Sequence, residues 1–281
     1  MAVSILITCH DRVDTTLLCL NALRDSFVDY GLSDCKAVVF LVDDGSSDGT
    51  GQQVHEWFDS VSNENFFGHV IHADGTLFWS RGMALAWRKS LEYEKINSCK
   101  FDFFLWLNDD VILEKTGLSS IFRDYEKVRS VVAGACGVKR NDEWVMTYGG
   151  MDASYRKLVP NGSPQCSDGW FTGNVLLVPR DVYEKVGIIS DEYSHACGDN
   201  DYALRLKRAR IPFYASSQFV GVCEYGPVNK VKEWPIYKRV PLLFVPSMWN
   251  LRDMWIFQCT FYNPFRALIY CIHRIYVVLK G

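Results

Sequence analysis

The sequence predicts an α/β fold with a mostly parallel central sheet flanked by helices. Short apolar runs that suit buried strands alternate with segments of helical periodicity through the first third of the chain. Two of these runs end in polar clusters, Asp43-Asp44 and Asn108-Asp109-Asp110. Because ligands of open α/β sheets bind beyond the carboxyl ends of the strands, we expect both clusters to line one site.

The first third is predicted to consist of right-handed strand-helix-strand units. In chain order, strands are predicted over 3–8, 37–42, 69–72 and 103–107, with helices over 15–27, 51–60 and 82–93 between them. The middle of the chain is predicted to add a mixed sheet that shapes the second half of a cleft. Its expected strands cover 131–138, 144–147, 157–159 and 172–179, with helices from about 180 and over 199–210.

Composition excludes several classes of protein. With 281 residues, 48% of them apolar and 22% charged, the chain has enough apolar residues for a sizeable core and is not a disordered or low-complexity protein. The net charge of −3 divides unevenly, since residues 226–281 carry +6 and the preceding residues −9. An acidic body with a basic tail favours an enzyme that binds metal and phosphate and sits on an anionic surface, rather than a nucleic-acid binder.

Cysteine use and the start of the chain point to a cytoplasmic location. The ten cysteines show no CxxC pair and no framework-like spacing, so free thiols are expected. The first residues enter a strand-like run directly, without the charged start and long apolar stretch of a signal peptide.

The tail, residues 226–281, is expected to form a separate segment after a catalytic domain over 1–225. Charged and polar residues interrupt its apolar stretches, so a membrane-spanning helix is not predicted. Over 265–280, Arg266, His273, Arg274 and Lys280 fall on one face of an amphipathic helix. Two interpretations stay open: a helix lying in a membrane interface, or a helix packed on the core or on a second subunit.

The two acidic clusters carry different chemistry. Asp43-Asp44 precedes a Gly-Ser-Ser-Asp-Gly-Thr turn whose donors suit a nucleoside, although Ser47 and Asp48 also suit the cap of the next helix. Asn108-Asp109-Asp110 offers carboxylates to a hard divalent cation that would clamp a diphosphate, although it also suits a simple turn.

Four motifs in register give a more specific interpretation. The segments 3–8, 42–50, 105–111 and 198–206 resemble, in order and spacing, the inverting glycosyltransferases of family 2, which have the GT-A fold. The segments 77–83 and 170–180 resemble the rhamnosyltransferase-like branch. The resemblance spans roughly residues 3–224. It departs from the usual pattern at Gly198, where the family has Glu, and at residues 220–226, where it commonly has a metal-binding His.

The resemblance implies a role for each matching residue. Asp199 would be the general base that takes the proton from the acceptor hydroxyl, kept ionised by the start of its helix. Asp110 would ligate Mg²⁺ or Mn²⁺, with Cys223 or Glu224 as a further ligand. The residues expected to bind the nucleotide-sugar donor are Thr8, Asp43, Asp44, Trp79, Arg81 and Asp109, and those expected on the acceptor side are Trp170, Gly173 and Asn174.

The resulting expectation is an inverting, metal-dependent hexosyl- or deoxyhexosyltransferase. It would use a UDP- or dTDP-linked sugar and a lipid-linked glycan acceptor in bacterial-type surface polysaccharide, O-antigen or lipopolysaccharide assembly. It would bind peripherally to the inner face of the cell membrane through its tail. No nucleic-acid partner is expected, and a homo-oligomer stays open. The alternative is a non-catalytic nucleotide-sugar-binding or scaffolding subunit of a glycan assembly complex.

Overall fold

The structure is a computed structural model that describes residues 1–29, 35–226 and 233–280. Within these residues ten strands form one sheet in the order β3-β2-β1-β4-β9-β6-β10-β5, with β7 beside β6 and β8 beside β10. The strands are β1 (Ala2–Cys9), β2 (Lys36–Asp43), β3 (Phe66–His72), β4 (Phe103–Leu107), β5 (Ile112–Leu113), β6 (Val131–Arg140), β7 (Glu143–Tyr148), β8 (Gln165–Ser167), β9 (Val175–Pro179) and β10 (Phe213–Val222). The predicted α/β class is confirmed.

The helices follow the strands closely. They are α1 (Val13–Asp29), α2 (Thr50–Val61), α3 (Phe78–Asn97), α4 (Gly117–Val128), α5 (Arg180–Val186), α6 (Gly198–Arg208), α7 (Ile236–Arg239), α8 (Leu251–Phe261) and α9 (Pro264–Lys280), with a short 3₁₀ helix at Val240–Leu243. Strands β3, β2, β1 and β4 run parallel, and β9 is antiparallel to both β4 and β6. The sheet therefore has a parallel half and a mixed half.

Side chains of alternate strand residues build a core on each face of the sheet. Ile5 and Leu41 belong to the cluster that includes residues of α1, α2 and α4, whereas Leu6 and Phe40 belong to the cluster that includes residues of α3 and α6. Period-two alternation sends neighbouring residues of one strand to opposite faces, and here both faces are apolar because helices cover both.

One predicted strand, over 157–159, is wrong. The structure has only an isolated bridge between Met151 and Lys157, and the short strand of this region is β8, which pairs with β10. The Asp152 carboxylate accepts hydrogen bonds from the backbone N–H groups of Ser154 and Arg156 and so closes a turn there. This turn lies directly before residues 157–159. Its side-chain hydrogen bonds to the backbone compete there with strand pairing.

The tail forms two long helices, of which the sequence predicted only the second. Met254 and Phe257 of α8 pack against Tyr193 and Cys197, just ahead of α6. Asp253, which is completely buried, accepts hydrogen bonds from the backbone N–H and hydroxyl of Ser194 at 3.0 and 2.8 Å. The described part of the tail is therefore fastened to the loop that leads into α6.

Helix α9 is amphipathic, and its predicted basic stripe is only partly exposed: His273 and Lys280 are exposed, whereas Arg266 and Arg274 are half-buried. The Arg266 guanidinium lies 3.6 Å from the ring centroid of Tyr262, and Arg274 donates to the carbonyl of Met248. Most of the other exposed side chains of α9 are apolar; they include Phe265, Leu268, Ile269, Ile272, Tyr276 and Leu279. Helix periodicity identified the two faces correctly, but aromatic rings and a carbonyl of the tail draw the arginines inward. None of the helices in the described ranges is long and apolar enough to cross a membrane.

Candidate active site

The carboxyl ends of the parallel strands gather most of the residues singled out by sequence. β1 pairs in parallel with β2 on one side and β4 on the other, so the segments after Cys9, Asp43 and Leu107 emerge side by side. Antiparallel β9 begins beside the end of β4, where Leu107 faces Val175. This edge of the sheet therefore brings the two predicted acidic clusters to one side of the molecule.

Arg12 bridges the two acids that follow β4. Its Nη1 atom lies 3.1 Å from Oδ1 of Asp109 and 3.3 Å from Oδ2 of Asp110. The Thr16 hydroxyl donates to the other Asp109 oxygen at 3.4 Å. Burial raises the pKa of Asp109 to about 6, and the neighbouring Arg12 charge opposes that rise. Asp109 in turn raises the pKa of Arg12, so the guanidinium stays charged.

The same two carboxylates fit a divalent cation. Oδ1 of Asp109 and Oδ2 of Asp110 both face one positively charged nitrogen atom, which shows that they can converge on a cation. Mg²⁺ and related ions are commonly held by one or two carboxylates, with substrate phosphates and water as the other ligands. Among the residues that the structure describes, no three His, Cys, Asp or Glu side chains form a metal-binding group. A cation held here would therefore need further ligands from the substrate.

Cys223 supports Asp110 from the end of β10. Its buried thiol lies 3.6 Å from Oδ1 of Asp110, and the Asn174 amide lies 3.8 Å from the same sulfur. Burial raises the pKa of Cys223 far above its ordinary value, so the group is a neutral donor rather than a thiolate. A metal ion bound to the sulfur would itself lower this pKa, so the metal-ligand role of Cys223 stays a prediction. Glu224 is exposed, and its backbone carbonyl is 3.7 Å from the thiol.

Trp79 lies between two of the predicted motifs. Its indole Nε1 donates to the Asn108 side chain at 2.8 Å. A Cβ atom at position 173 would lie 2.5 Å from Cη2 of Trp79, so only glycine leaves room for the indole. Asn108 is thus the residue that orients Trp79, and Gly173 is the wall against which Trp79 rests.

Asp199 lies in the first turn of α6, next to that wall. Its partly buried carboxylate accepts from the backbone N–H of Asn200 at 2.8 Å and interacts with the backbone N–H of Gly173. Burial nevertheless raises the pKa of Asp199 to about 6. The backbone hydrogen bonds oppose this rise, and a carboxyl group with a pKa of about 6 is still mostly ionised at neutral pH. The role of Asp199 as an ionised general base stays a prediction.

The Asp43-Asp44 pair is buried and mostly used within the protein. Oδ2 of Asp44 accepts from the backbone N–H groups of Leu77 and Phe78 at 3.1 and 2.7 Å, and Oδ1 accepts from that of Gly75. Asp44 thus fixes the loop that leads into α3 and the Trp79 beyond it. Asp43 accepts from the backbone N–H of Ser46 at 3.1 Å. A nucleoside contact stays a prediction for both acids.

The remaining predicted residues are spread more widely. Thr8 is buried, and its hydroxyl oxygen would be only 2.3 Å from a Cβ atom on Gly82, so Gly82 leaves the space that Thr8 fills. The Arg81 side chain donates to the backbone carbonyl of Asp191 at 3.3 Å. Trp170 stacks on Tyr155 with 5.8 Å between ring centroids, and Lys207 lies 4.9 Å from the Trp170 centroid. Thr8 and Arg81 are therefore held by the scaffold of the cleft, and Trp170 belongs to a separate aromatic contact.

The sequence did not predict the contacts of three residues in this region. Arg12 lies only four residues after Thr8, at a strand end shared with the acids, which is the signal that could have identified it. The sequence indicates Asn108 only as part of the acidic cluster, not as the partner of Trp79. Asp253 carried no signal, because nothing in the tail sequence indicates a contact with Ser194.

Comparison with known proteins agrees with this architecture. The sequence profile described as "Glycosyl transferase family 2" matches residues 4–173. No curated protein sequence matches the chain significantly.

Several solved structures share the fold. A mannosyltransferase, PcManGT from Pyrobaculum calidifontis, in complex with GDP-Man and Mn²⁺, is 15% identical with a TM-score of 0.58, over 99% of this chain and 75% of that one. S. aureus TarS 1-349 is 13% identical with a TM-score of 0.54, over 99% of this chain and 81% of that one. The same protein in complex with UDP-GlcNAc matches at 12% identity and a TM-score of 0.53, over 95% of this chain and 73% of that one. At these identities the likeness shows a common fold.

Proposed function

The chain belongs to glycosyltransferase family 2, and from that premise we propose an inverting, metal-dependent transfer of a sugar from a nucleoside diphosphate to a hydroxyl group. The acceptor is a lipid-linked glycan of bacterial-type surface polysaccharide assembly, such as O-antigen or lipopolysaccharide. The motifs at 77–83 and 170–180 support the rhamnosyltransferase-like branch and a UDP- or dTDP-linked hexose or deoxyhexose. Residues 1–225 are the catalytic domain in this proposal.

One connected set of contacts carries the proposal. Asp199 interacts with the N–H of Gly173, Gly173 rests against Trp79, and Trp79 donates to Asn108, which directly precedes Asp109. A candidate base and a candidate cation-binding pair are therefore joined through one aromatic side chain. Inverting transfer needs this division, with a base on the acceptor side, positive charge on the leaving-group side and no enzyme nucleophile.

The proposed chemistry assigns a step to each group. The Asp199 carboxylate takes the proton of the acceptor hydroxyl while that oxygen forms a bond to the anomeric carbon. The bond between this carbon and the diphosphate oxygen breaks, and its electron pair leaves with the nucleoside diphosphate. A divalent cation, when bound at Asp109 and Asp110, would neutralise part of the charge that develops on that leaving group. Trp79 lines the space between the two ends.

The other predicted residues would contribute in two ways, by contact with the nucleoside or by holding the loops around the site. Asp43 and Thr8 are the candidate contacts for the nucleoside, and Arg81 and Asp44 act through the loops that they hold. Asn174 contacts Cys223, which contacts Asp110, and its place on the acceptor side stays part of the proposal.

Contact with a membrane is also part of the proposal. The outward face of α9 exposes Phe265 at 73%, Ile272 at 57% and Tyr276 at 55%, which is unusual for a helix packed on one side of a folded domain. The tail of residues 226–281 carries a charge of +6. An apolar face on a basic segment suits an anionic lipid surface, and a cytoplasmic enzyme would thereby reach a lipid-linked acceptor. A second copy of the chain is the other candidate for this face.

The decisive experiment measures donor hydrolysis and transfer with the wild type and with Asp199→Asn. We expect the variant to bind nucleoside diphosphate in the presence of Mn²⁺ like the wild type and to lose transfer to an extracted lipid-linked acceptor. Undiminished turnover would refute the assignment of Asp199 as the base. Nucleotide binding by the wild type without transfer to any acceptor would favour the alternative, a non-catalytic nucleotide-sugar-binding subunit.

A further inference from the structure

We propose that Arg12 is an internal counter-cation that occupies the cation position of Asp109 and Asp110 and leaves it only when a diphosphate arrives with the metal ion. The inference deepens the proposed function and rests on it. It starts from one nitrogen atom, Nη1 of Arg12, which lies within 3.3 Å of an oxygen of each acid. No other described Lys or Arg pairs with either acid.

The charge balance explains why a cation is needed there. Asp109 is buried and Asp110 is adjacent to it, so two unpaired carboxylates would repel each other in a poorly hydrated site. Half of the Arg12 side chain is exposed, with a fractional exposure of 49% against 8% for Asp109. Asp109 is therefore fixed in the wall, and Asp110, which is 36% exposed, contacts the Cys223 thiol, while the arginine reaches both acids from the open side. Of the three side chains, Arg12 is the most exposed.

Competition follows from that geometry. A divalent cation that binds oxygens of both acids needs the space that Nη1 of Arg12 fills, so binding includes the cost of breaking two charge-assisted hydrogen bonds. A released guanidinium still lies at the mouth of the site, where a diphosphate is the complementary anion. Metal alone should therefore bind weakly, and metal with diphosphate should bind much more tightly. Arg12 makes occupation by the two ligands cooperative.

The test measures Mn²⁺ binding by electron paramagnetic resonance, with and without inorganic pyrophosphate, in full-length protein. Pyrophosphate serves as the probe because it carries the diphosphate without any choice of nucleoside. For Arg12→Met we expect Mn²⁺ alone to bind about tenfold more tightly than to the wild type, and the gain from pyrophosphate to shrink by a similar factor. Arg12→Lys should fall between the two, because lysine keeps the charge without the planar fork.

Two controls make the result specific. Arg24→Met removes one positive charge from α1, the helix that begins directly after Arg12. Arg24 pairs there with exposed Asp25, so this substitution should leave Mn²⁺ affinity unchanged. Asp110→Asn should abolish the tight Mn²⁺ binding in the Arg12→Met background, which places the ion at this pair. Circular dichroism melting verifies that each variant is folded.

The inference would be overturned by Mn²⁺ affinity that is equal or lower in Arg12→Met, by an equal gain in Arg24→Met, or by undiminished coupling to pyrophosphate in Arg12→Met. A protein that binds no Mn²⁺ in either form would overturn it as well. These titrations need no acceptor and no turnover. A failure to transfer sugar would therefore count against the proposed function alone, whereas a failure of the Mn²⁺ comparison would count against Arg12.

Discussion

Gly198 and Ser80 are in contact so close that no side chain fits at position 198. A Cβ atom there would lie 2.4 Å from the Ser80 hydroxyl oxygen and 3.1 Å from its Cβ atom. Gly198 is the residue that stands where family 2 usually has Glu, and it directly precedes Asp199. The absent acid is thus explained by close packing of α6 on α3, with Asp199 held at the contact.

Replacing Gly198 by Ala should therefore destabilise the protein, although Ala is ordinarily the better helix former by about 1 kcal/mol. We expect a loss of ~1–3 kcal/mol in the free energy of unfolding, because the added methyl group overpacks the contact. Denaturant unfolding measures it. The double variant Gly198→Ala/Ser80→Gly should recover much of the loss, and purely additive effects would show that the contact with Ser80 is not its cause.

The raised pKa of Asp199 predicts the pH dependence of transfer. A general base must be deprotonated, so kcat/KM should fall about tenfold per pH unit below a pKa of about 6 and level off above it. A profile that stays flat down to pH 5 would contradict this role. Saturating Mn²⁺ is kept throughout so that metal loss does not produce the same limb.

The stability contribution of Asp199 should fall as pH rises, whereas its contribution to transfer should grow. Between its ordinary pKa of 3.8 and about 6, Asp199 binds its proton more tightly in the folded than in the unfolded chain. Its contribution therefore lowers the free energy of unfolding as pH rises through that window. Asp199→Asn removes the titration, so the variant should gain stability relative to the wild type between pH 4 and pH 7, as thermal unfolding at both values would reveal.

Trp79 should be displaced by a single methyl group on the opposite wall. In Gly173→Ala the new Cβ atom would lie 2.5 Å from Cη2 of Trp79, so the indole must move and its bond to Asn108 must stretch or break. We expect a loss of up to ~100-fold in kcat/KM with the protein still folded. In a Trp79→Phe background the same substitution should cost far less, since the smaller ring does not reach position 173. Equal losses in both backgrounds would exclude the steric cause.

Charge on the outer face of α9 should weaken membrane binding without unfolding the protein. Ile272→Glu is expected to lower cosedimentation with vesicles containing anionic lipid by about tenfold. The reason is that the exposed aliphatic side chain of Ile272 would be buried in the lipid on binding, and a charged side chain would not. Ile96→Glu, at an 81% exposed position of α3, is the matched control and should have no effect. If vesicle binding is unchanged and the mass in solution falls instead, α9 contacts a second copy. Truncation from Met254 is a poorer test, because it removes Met254 and Phe257 from their contact with Tyr193.

The sequence predicted the elements of this fold where the chemistry is local. Buried strands leading into Asp43-Asp44 and Asn108 were identifiable because runs of apolar residues need cover on both faces, and parallel strands place their carboxyl ends together. Contacts between distant segments were not predictable in the same way. The pairing of Trp79 with Asn108, and that of Asp253 with Ser194, depends on how helices are placed against the sheet, which no short pattern encodes. The direction of the Asp199 shift also needed burial to be known.

The Asp253 contact limits how the chain can be recombined. Asn250 caps the helix by accepting from the backbone N–H of Asp253, and the Asp253 carboxylate holds Ser194. The carbonyl of Ser194 in turn accepts from the backbone N–H of Ser80. A chimera that exchanged residues 233–280 for the tail of another transferase would leave the Ser194 N–H buried without an acceptor. Such an exchange would have to carry the 190–197 loop along with the tail. The two segments, far apart in sequence, are thus expected to be inherited as a unit.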